Sequence, residues 1–281
     1  MLKKTCKLIG ILLLLVFSFV YTEKVFTTAK DNNSVMKEVV KYKNSYDIKP
    51  KEPIIKKDEL ILGYSGLIVD KEATYKNMDD KFDKDKIVYK DKLPNTTITK
   101  NYNYYIKQGN VTSKSVAIIF KVKNENNLNS FLDNINKLDI KINFFIDASW
   151  LSDNIEKAFE MTNMGYDIYN LGYDGKYDKK SINKSNNLIE SITLKDSKYC
   201  LNEDKNDYEK EVCKKKKMLT ILPTMVNPSI LELRQNLVKG AIISYDLDTF
   251  DNSKINIILK TITSRGYTVR SLNDVINEKR Y

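Results

Sequence analysis

An alternation beginning near Val111 and running to the C-terminus narrows the accessible folds more than any other feature of this chain. Seven short apolar runs, "SVAIIFKV", "INFFID", "YDIYNL", "SKYCL", "MLTILP", "GAIISYDL" and "YTVRSL", are separated by six stretches of helical spacing. The helical stretches lie near Leu128–Leu138, Asn154–Thr162, Ile182–Ile192, Tyr208–Lys216, Ser229–Val238 and Ile255–Ser264. Short runs rich in β-branched and aromatic residues read as strands, and strands alternating with amphipathic helices imply an α/β fold on a parallel sheet. Gly165, Gly240 and Gly266 each follow a helical stretch and precede a strand, as helix C-terminal caps do. Seven strands with six helices suit a barrel better than an open sheet, and leave that barrel imperfect.

The sequence before the alternation falls into three parts. Lys3, Lys4 and Lys7 precede "LIGILLLLVFSFV", Leu8 to Val20. Positive charge followed by a short apolar core is an export pattern, and the run is brief against the ~20 residues of a full span. Residues 1–24 therefore read as a signal peptide or membrane anchor. The one small-residue cleavage site, Thr27-Thr28-Ala29, lies far from the apolar core, which favours an uncleaved anchor; cleavage would give a secreted protein. Residues 25–57 are polar and rich in Lys and Asn, with Pro50 and Pro53 near the end, and read as a flexible linker. Residues 58–110 read as a small α+β unit: "LILGYSGLIVD", the helical "KEATYKNM", the strand "KIVYK" and a turn at Pro94-Asn95. The regular domain occupies residues 111–281.

Composition excludes several chemistries. There is no histidine among 281 residues, so serine-type triads and ordinary catalytic zinc sites would each need a substitute for their usual base or ligand. Lys+Arg of 47 against Asp+Glu of 37 gives a net charge of +10, with lysines spread along the chain. The basic-plus-aromatic motifs of nucleic-acid modules are missing, so no nucleic-acid partner is expected, and attraction to an anionic envelope polymer fits the charge better. Cys6 precedes the apolar run and is not placed as a lipoprotein cysteine. Cys200 and Cys213 read as two buried thiols, with pairing in an oxidising compartment as the alternative.

Four segments in order resemble the polysaccharide deacetylases, the NodB-like carbohydrate esterases. "VAIIFKVKN", Val116 to Asn124, is similar to V-A-L-T-F-D-D-G-P, and "KINFFIDASW", Lys141 to Trp150, to K-A-T-F-F-x-x-G-x-W. "GYDIYNLGYDG", Gly165 to Gly175, resembles G-H-E-I-G-N-H-T-Y-S-H; "GAIISYD" with "RGYTVRSLNDVI" resembles the closing strands and last helix. The N-terminal "GYSGLIVDKEATYKNM" and "YYIKQGN" are similar to a branch found in Gram-positive spore formers, which implies an envelope or sporulation protein. The resemblance implies a distorted seven-stranded (β/α) barrel of the polysaccharide deacetylase type with a small N-terminal α+β unit. It also implies a metal held by one Asp and two His, with a second Asp as base. Aligned without gaps, the base position is Lys121 and the ligand positions are Val122, Leu171 and Gly175. The arginine and prolines of a third motif are missing near Lys198 to Asp204, and a later H-D pair falls at Tyr245-Asp246. No catalytic group, metal ligand or cofactor is expected: the pattern is that of a pseudoenzyme.

A rebuilt site is the alternative, because hard cations accept oxygen ligands alone. "DLDTFD" puts Asp246, Asp248 and Asp251 at a strand end, and Asp174 and Asp178 follow the strand that would have carried histidines. A divalent metal on such carboxylates would support N-deacetylation of peptidoglycan or a related polysaccharide. Helix capping and turn geometry account for the same aspartates, and the acidic run from Glu203 to Glu211 reads as a solvated loop. Lys121 reads as a strand-end lysine reaching solvent or a carboxylate, with a buried nucleophile as the rival. Tyr173, Asp174, Tyr199, Tyr245 and Asp246 mark a glycan cleft in which sugar rings stack on aromatic faces; ordinary packing explains the same tyrosines. The expectation is an extracytoplasmic, membrane-anchored protein that binds a cell-wall glycan or an envelope protein, or serves as a scaffold without a glycan site.

Overall fold

The computed structural model describes residues 9, 11–22, 33–124, 126–138 and 140–280. Cys6, the N-terminal lysines and the candidate cleavage site Thr27-Thr28-Ala29 lie outside the described residues. The chain divides into one compact unit of Met1–Lys49 with Gly66–Lys92 and another of Pro50–Ser65 with Leu93–Tyr281. The expected boundaries at residues 57 and 110 are thereby replaced.

In the first unit, residues 11–22 are helical (α1); among the described residues no helix is long and apolar enough to cross a membrane. Helix α2 (Ser34–Tyr46) occupies the stretch expected as a linker. Asn33 caps it, Oδ1 accepting the Val35 amide at 2.8 Å, and Val35, Met36 and Val39 are buried along one side. Those apolar residues suffice to seat α2 on β3 (Gly66–Val69) and α3 (Lys71–Asn77). The surrounding lysines and asparagines hide this face from a compositional reading. Strand β3 pairs antiparallel with β4 (Tyr89–Lys92), and Asp47 accepts the Val69 amide at 2.7 Å.

The second unit is an α/β barrel of the expected type. A hairpin of β1 (Ile54–Lys56) and β2 (Glu59–Ile61) adds β2 in parallel to β5 (Tyr105–Gln108). Residues 50–65 therefore belong to the barrel sheet, with Leu60 buried in it, and not to the N-terminal unit. The regular strands follow: β6 (Ser115–Val122), β7 (Asn143–Ile146), β8 (Asp167–Asn170), β9 (Tyr199–Leu201), β10 (Leu219–Ile221), β11 (Met225–Val226), β12 (Ile242–Asp246) and β13 (Thr268–Val269). Their order is β1-β2-β5-β10-β9-β8-β7-β6-β12-β11, with β13 also on β6. All seven expected strands are present. So are the six expected helices, as α4 (Leu128–Ile135), α6 (Ile155–Asn163), α7 (Lys179–Thr193), α8 (Asp207–Lys215), α9 (Ile230–Asn236) and α10 (Ile255–Ser264). Short helices α5 (Ala148–Asp153) and α11 (Leu272–Val275) are additional.

Strand alternation divides the apolar residues between two layers. Outward-facing Val116, Ile118, Phe120 and Val122 of β6 pack under Leu128, Phe131 and Ile258 of the helices. Inward-facing Ala117 and Ile119 meet Phe145, Tyr169, Leu201 and Ile221 across the barrel, with Leu272 and Val275 of α11 in the same core. Asn143 holds α11 in place, its Oδ1 accepting the Leu272 amide at 2.7 Å while its Nδ2 donates to the Ile118 carbonyl. Thr224 ties the two sides of the sheet together: its amide donates to the Ile242 carbonyl at 2.7 Å and its hydroxyl to the Lys107 carbonyl at 2.8 Å. Beside it, Gly240 has φ +71° and a Cβ there would lie 2.7 Å from the Gly109 carbonyl oxygen, so the approach of these segments requires glycine.

Cys200 of β9 and Cys213 of α8 form a disulfide, with Cα atoms 6.4 Å apart, in place of the two separate thiols expected. The β9–α8 turn brings them together, and both are fully buried.

Candidate functional site

Alternation along the strands decides which side chains gather at the barrel mouth. On β6, Ala117, Ile119 and Lys121 face inward, and Lys121 is the last of them. The β12–β6 register places Asp246 opposite Lys121. Glu203, two residues beyond β9, enters the same space. The Lys121 ammonium donates to Glu203 Oε2 at 2.6 Å and lies 3.6 Å from Asp246 Oδ2, with the lysine side chain 11% exposed. Ser244, two residues before Asp246 on β12, donates its hydroxyl to the other oxygen of Glu203.

A second carboxylate organises the facing loop. Asp147 caps α5, its Oδ1 accepting the Ser149 amide at 2.8 Å and hydroxyl at 2.6 Å. The same carboxylate accepts the amides of Asp174 at 3.0 Å and Gly175 at 2.8 Å. The turn after β8 is thus pinned over the mouth. Leu171 and Gly175 border the resulting cleft of about 220 Å³, together with Lys121, Asp147, Glu203 and Glu209. Gly175 has φ +67° and no atom within 4 Å of where a Cβ would stand, which leaves bare backbone at that wall.

Lys121, Leu171 and Gly175, the residues that the resemblance assigns to the base and two of the three ligands, therefore line one cleft. Val122 does not: it faces outward into the helix-covered core. A divalent ion does not fit these residues. The positions that would supply imidazoles carry a leucine and a glycine, Glu203 and Asp246 already hold an ammonium, and Asp147 is taken up by the amides of Ser149, Asp174 and Gly175. Among the described residues no three Asp, Glu or Cys side chains gather as metal ligands. Lys121 is arranged as an ion-pair partner and not as a nucleophile, since its ammonium is bonded between two anions.

Only part of the expected glycan cleft is assembled. Asp246 reaches the Lys121 ammonium. Tyr173 is half-buried and lies under the Lys184 ammonium, 3.6 Å from its ring centroid, outside the cleft wall. Asp174 contributes its amide to Asp147, and its side chain is exposed. Tyr199 opens β9 instead of closing it; the ring packs edge-on to Tyr169 inside the barrel, and its hydroxyl donates to Asn273 at 3.0 Å. Tyr245 faces outward and stacks on Phe120, one residue out of phase with the cleft. The residues that sequence reasoning left aside are Asp147, a helix cap, and Glu203, assigned to a solvated loop. Asp251 caps the turn at Ser253 and Asp178 caps α7, as their spacing allowed. Asp248 keeps one buried carboxylate oxygen without a partner; burial first, and then Asp246, push its carboxyl above the ordinary range.

Two further groups set the field of the cleft. Burial, and secondarily the neighbouring Asp204, push the Glu209 carboxyl above its usual range. Tyr177 is buried beneath the wall, and its hydroxyl donates to the Asn170 carbonyl at 3.0 Å.

No family model matches the sequence. The chain is 24% identical to the uncharacterized protein YlxY of Bacillus subtilis, covering 90% of this chain and 87% of that one. Among solved structures, it superposes on BA3943 of Bacillus anthracis, a family 4 carbohydrate esterase pseudoenzyme, with TM-score 0.67, 22% identity and coverage of 88% of this chain and 96% of that one. A mutant of that pseudoenzyme described as having restored enzymatic activity superposes with the same TM-score, 0.67. Bacillus subtilis PdaA, a family 4 carbohydrate esterase, gives TM-score 0.52 at 17% identity, over 61% of this chain and 84% of that one. The fold is that of the family 4 carbohydrate esterases, and the resemblance carried by the four sequence segments holds in three dimensions.

Proposed function

We propose that this protein is a catalytically degenerate polysaccharide deacetylase that acts in the cell envelope by binding a glycan, or an envelope protein, without hydrolysing an acetamide. One observation carries the reading: Lys121, at the position that the resemblance assigns to the catalytic base, has its ammonium held between Glu203 and Asp246. The two family histidine positions on the same cleft, Leu171 and Gly175, offer no ligand. Deacetylation needs an activated water and a charge-stabilising metal, whereas here the position assigned to the base carries an ion-paired lysine and the positions assigned to the histidines carry a leucine and a glycine.

Extracytoplasmic location is part of the proposal. It is supported by the lysine-flanked apolar run at the N-terminus and by the Cys200–Cys213 disulfide, a bond that persists in oxidising compartments. Anchoring through the first 24 residues belongs to the same reading.

The test is acetate release from N-acetylated peptidoglycan and chitooligosaccharides, with and without zinc, cobalt or calcium, beside an active deacetylase. We expect no release above a denatured control. Metal-stimulated release that Asp246→Asn abolishes would overturn the proposal and assign a rebuilt carboxylate site. Retention on purified wall glycan is the positive arm; failure to bind any wall fraction, with a stable co-purifying protein, would leave a scaffold.

A further inference from the structure

The end of the barrel opposite the mouth has a charge of its own. Strands β6 to β10 and β12 run parallel to their neighbours, so the connections that lead into them gather at one end. Lysines occupy those connections: Lys114 before β6, Lys141 before β7, Lys195 and Lys198 before β9, Lys217 before β10 and Lys239 before β12. All six are exposed. Among the described residues only Lys195 of these has a carboxylate within 4.0 Å, Asp167 at 3.8 Å. Asp196 is the one carboxylate in the described parts of the same connections, with Asp167 opening β8. The other end of the strands carries Asp147, Glu203, Asp204, Asp246 and Asp248.

Cations are favoured near helix C-termini by the backbone dipole, and that alone accounts for lysines in such loops. It does not account for the apolar residues beside them. Met164 ends α6, Leu194 ends α7 and Val238 follows α9, and all three are exposed. Leu194 is the extreme case, 88% exposed and left-handed at φ +55°. A helix end of that conformation favours glycine or asparagine, so the leucine carries backbone strain and also leaves its side chain in water. Strain held at an exposed apolar residue is accounted for by what that residue meets outside the fold.

The geometry points to a membrane contact apart from the N-terminal run: the base of the barrel rests on an anionic bilayer. Leu194 enters the headgroup layer, and the lysines of the same end lie over the lipid phosphates. The mouth, at the other end of the strands, then faces away from the bilayer. A soluble anionic polymer would satisfy the lysines equally. The strained, exposed leucine is what selects a surface with an apolar interior. This contact does not depend on what the mouth binds.

The experiment is partition of the full-length protein, at low salt, onto vesicles of phosphatidylcholine alone and of phosphatidylcholine mixed equally with phosphatidylglycerol. The ratio of the two partition coefficients is compared between variants, all of which keep the N-terminal run. Lys195→Gln with Lys198→Gln should lower that ratio about thirtyfold, the scale of two lysines at an anionic surface. Leu194→Gly should lower partition onto the mixed vesicles about tenfold, the scale of a partly buried leucine. The same change should raise the melting temperature, because the left-handed strain is relieved. Hydrogen exchange on the mixed vesicles should slow in residues 193–198 and 237–240 and not at the mouth.

An unchanged ratio in the double lysine variant, or protection at the mouth in place of the base, would overturn the inference. Leu194→Gly without effect on partition would overturn it as well, and equal binding of soluble poly(glycerol phosphate) would then assign the base to an anionic polymer. The apolar N-terminal run is common to every variant, so none of these outcomes touches the anchoring reading.

Discussion

Replacing Lys121 by methionine tests the central arrangement of the barrel mouth. Methionine keeps the length and apolar stem of the lysine and removes only the ammonium, so packing against the inner layer survives. What is lost is the counter-charge between Glu203 and Asp246, whose side chains are 17% and 21% exposed. Removing one partner of a fully buried ion pair costs ~3–5 kcal/mol, because a charge is left in low dielectric. Residual water at the two carboxylates lowers this here to about 2–3 kcal/mol. For a chain of this size that corresponds to a melting temperature lower by roughly 3–5 °C.

Melting temperature followed by circular dichroism at neutral pH reads the effect, and a double-mutant cycle gives its origin. Glu203→Gln alone leaves Lys121 with Asp246 and should cost less than Lys121→Met. The double variant should recover much of the loss, so the two changes should be non-additive by more than about 1 kcal/mol. An unaltered melting temperature in Lys121→Met, or additivity within about 0.5 kcal/mol, would refute the view that this lysine replaces a cation at the mouth.

Three further outcomes follow from the same structure. Cys200→Ser with Cys213→Ser opens a loop of sequence separation 13 and should cost about 3 kcal/mol in denaturant unfolding; three titratable thiols in the native protein, where pairing leaves only Cys6, would contradict the disulfide. Because the folded-state pKa of Asp248 is raised, its contribution to stability is full below the ordinary aspartate value of 3.8 and is lost as pH rises through the raised value. Asp248→Asn should therefore stabilise the protein at neutral pH, with the gain vanishing below pH 3.8 in pH-dependent thermal melts. Tyr199→Phe removes the hydrogen bond to Asn273 inside the barrel and should cost about 1 kcal/mol with glycan retention unchanged; weakened retention without destabilisation would return Tyr199 to the cleft.

The barrel was legible where strands are long, apolar and covered on both faces. All eight residues of β6 are buried, and such runs stand out in sequence whichever way they face. Strand β5, "YIKQ", was not read as barrel, because its second half is only partly buried and its partners β2 and β10 are remote in sequence. Helix α2 was missed for a related reason: its buried face is narrow and the other positions are mostly polar.

The site was half legible. The resemblance pointed to Lys121, Leu171 and Gly175, which line one cleft, but facing was beyond it. With period-two alternation, one residue decides between cleft and helix layer. Asp246 falls inside and Tyr245 outside by that single step. Tyr199 shows the other difficulty, strand ends: it is the first residue of β9, two positions before Leu201, and that length carries the ring to the wrong end of the barrel for a mouth residue. Glu203 was invisible because its meaning lies in a partner 82 residues away. Local acidity made it look like a solvated loop.

That long-range pair explains why degeneracy at this mouth is coherent and not merely erosive. A barrel that loses its metal is left with inward-facing carboxylates and no cation, and such a cluster is destabilising unless a positive charge enters. Lys121, at the end of β6, supplies that charge, reaching both Glu203 and Asp246. Ser244 completes the hydrogen bonding of Glu203 from the adjacent strand. The resulting network is self-consistent, and it opposes reversal one residue at a time. An aspartate at position 121 would face Glu203 and Asp246 without a counter-ion. A histidine at 171 or 175 would find neither a second imidazole nor a ligand from position 122, because Val122 points into the outer core. Several changes would have to arrive together before a divalent ion could be held, while each alone disturbs the ion pair or the packing that now closes the barrel. The mouth is therefore held by its own ion pairs in the form it has.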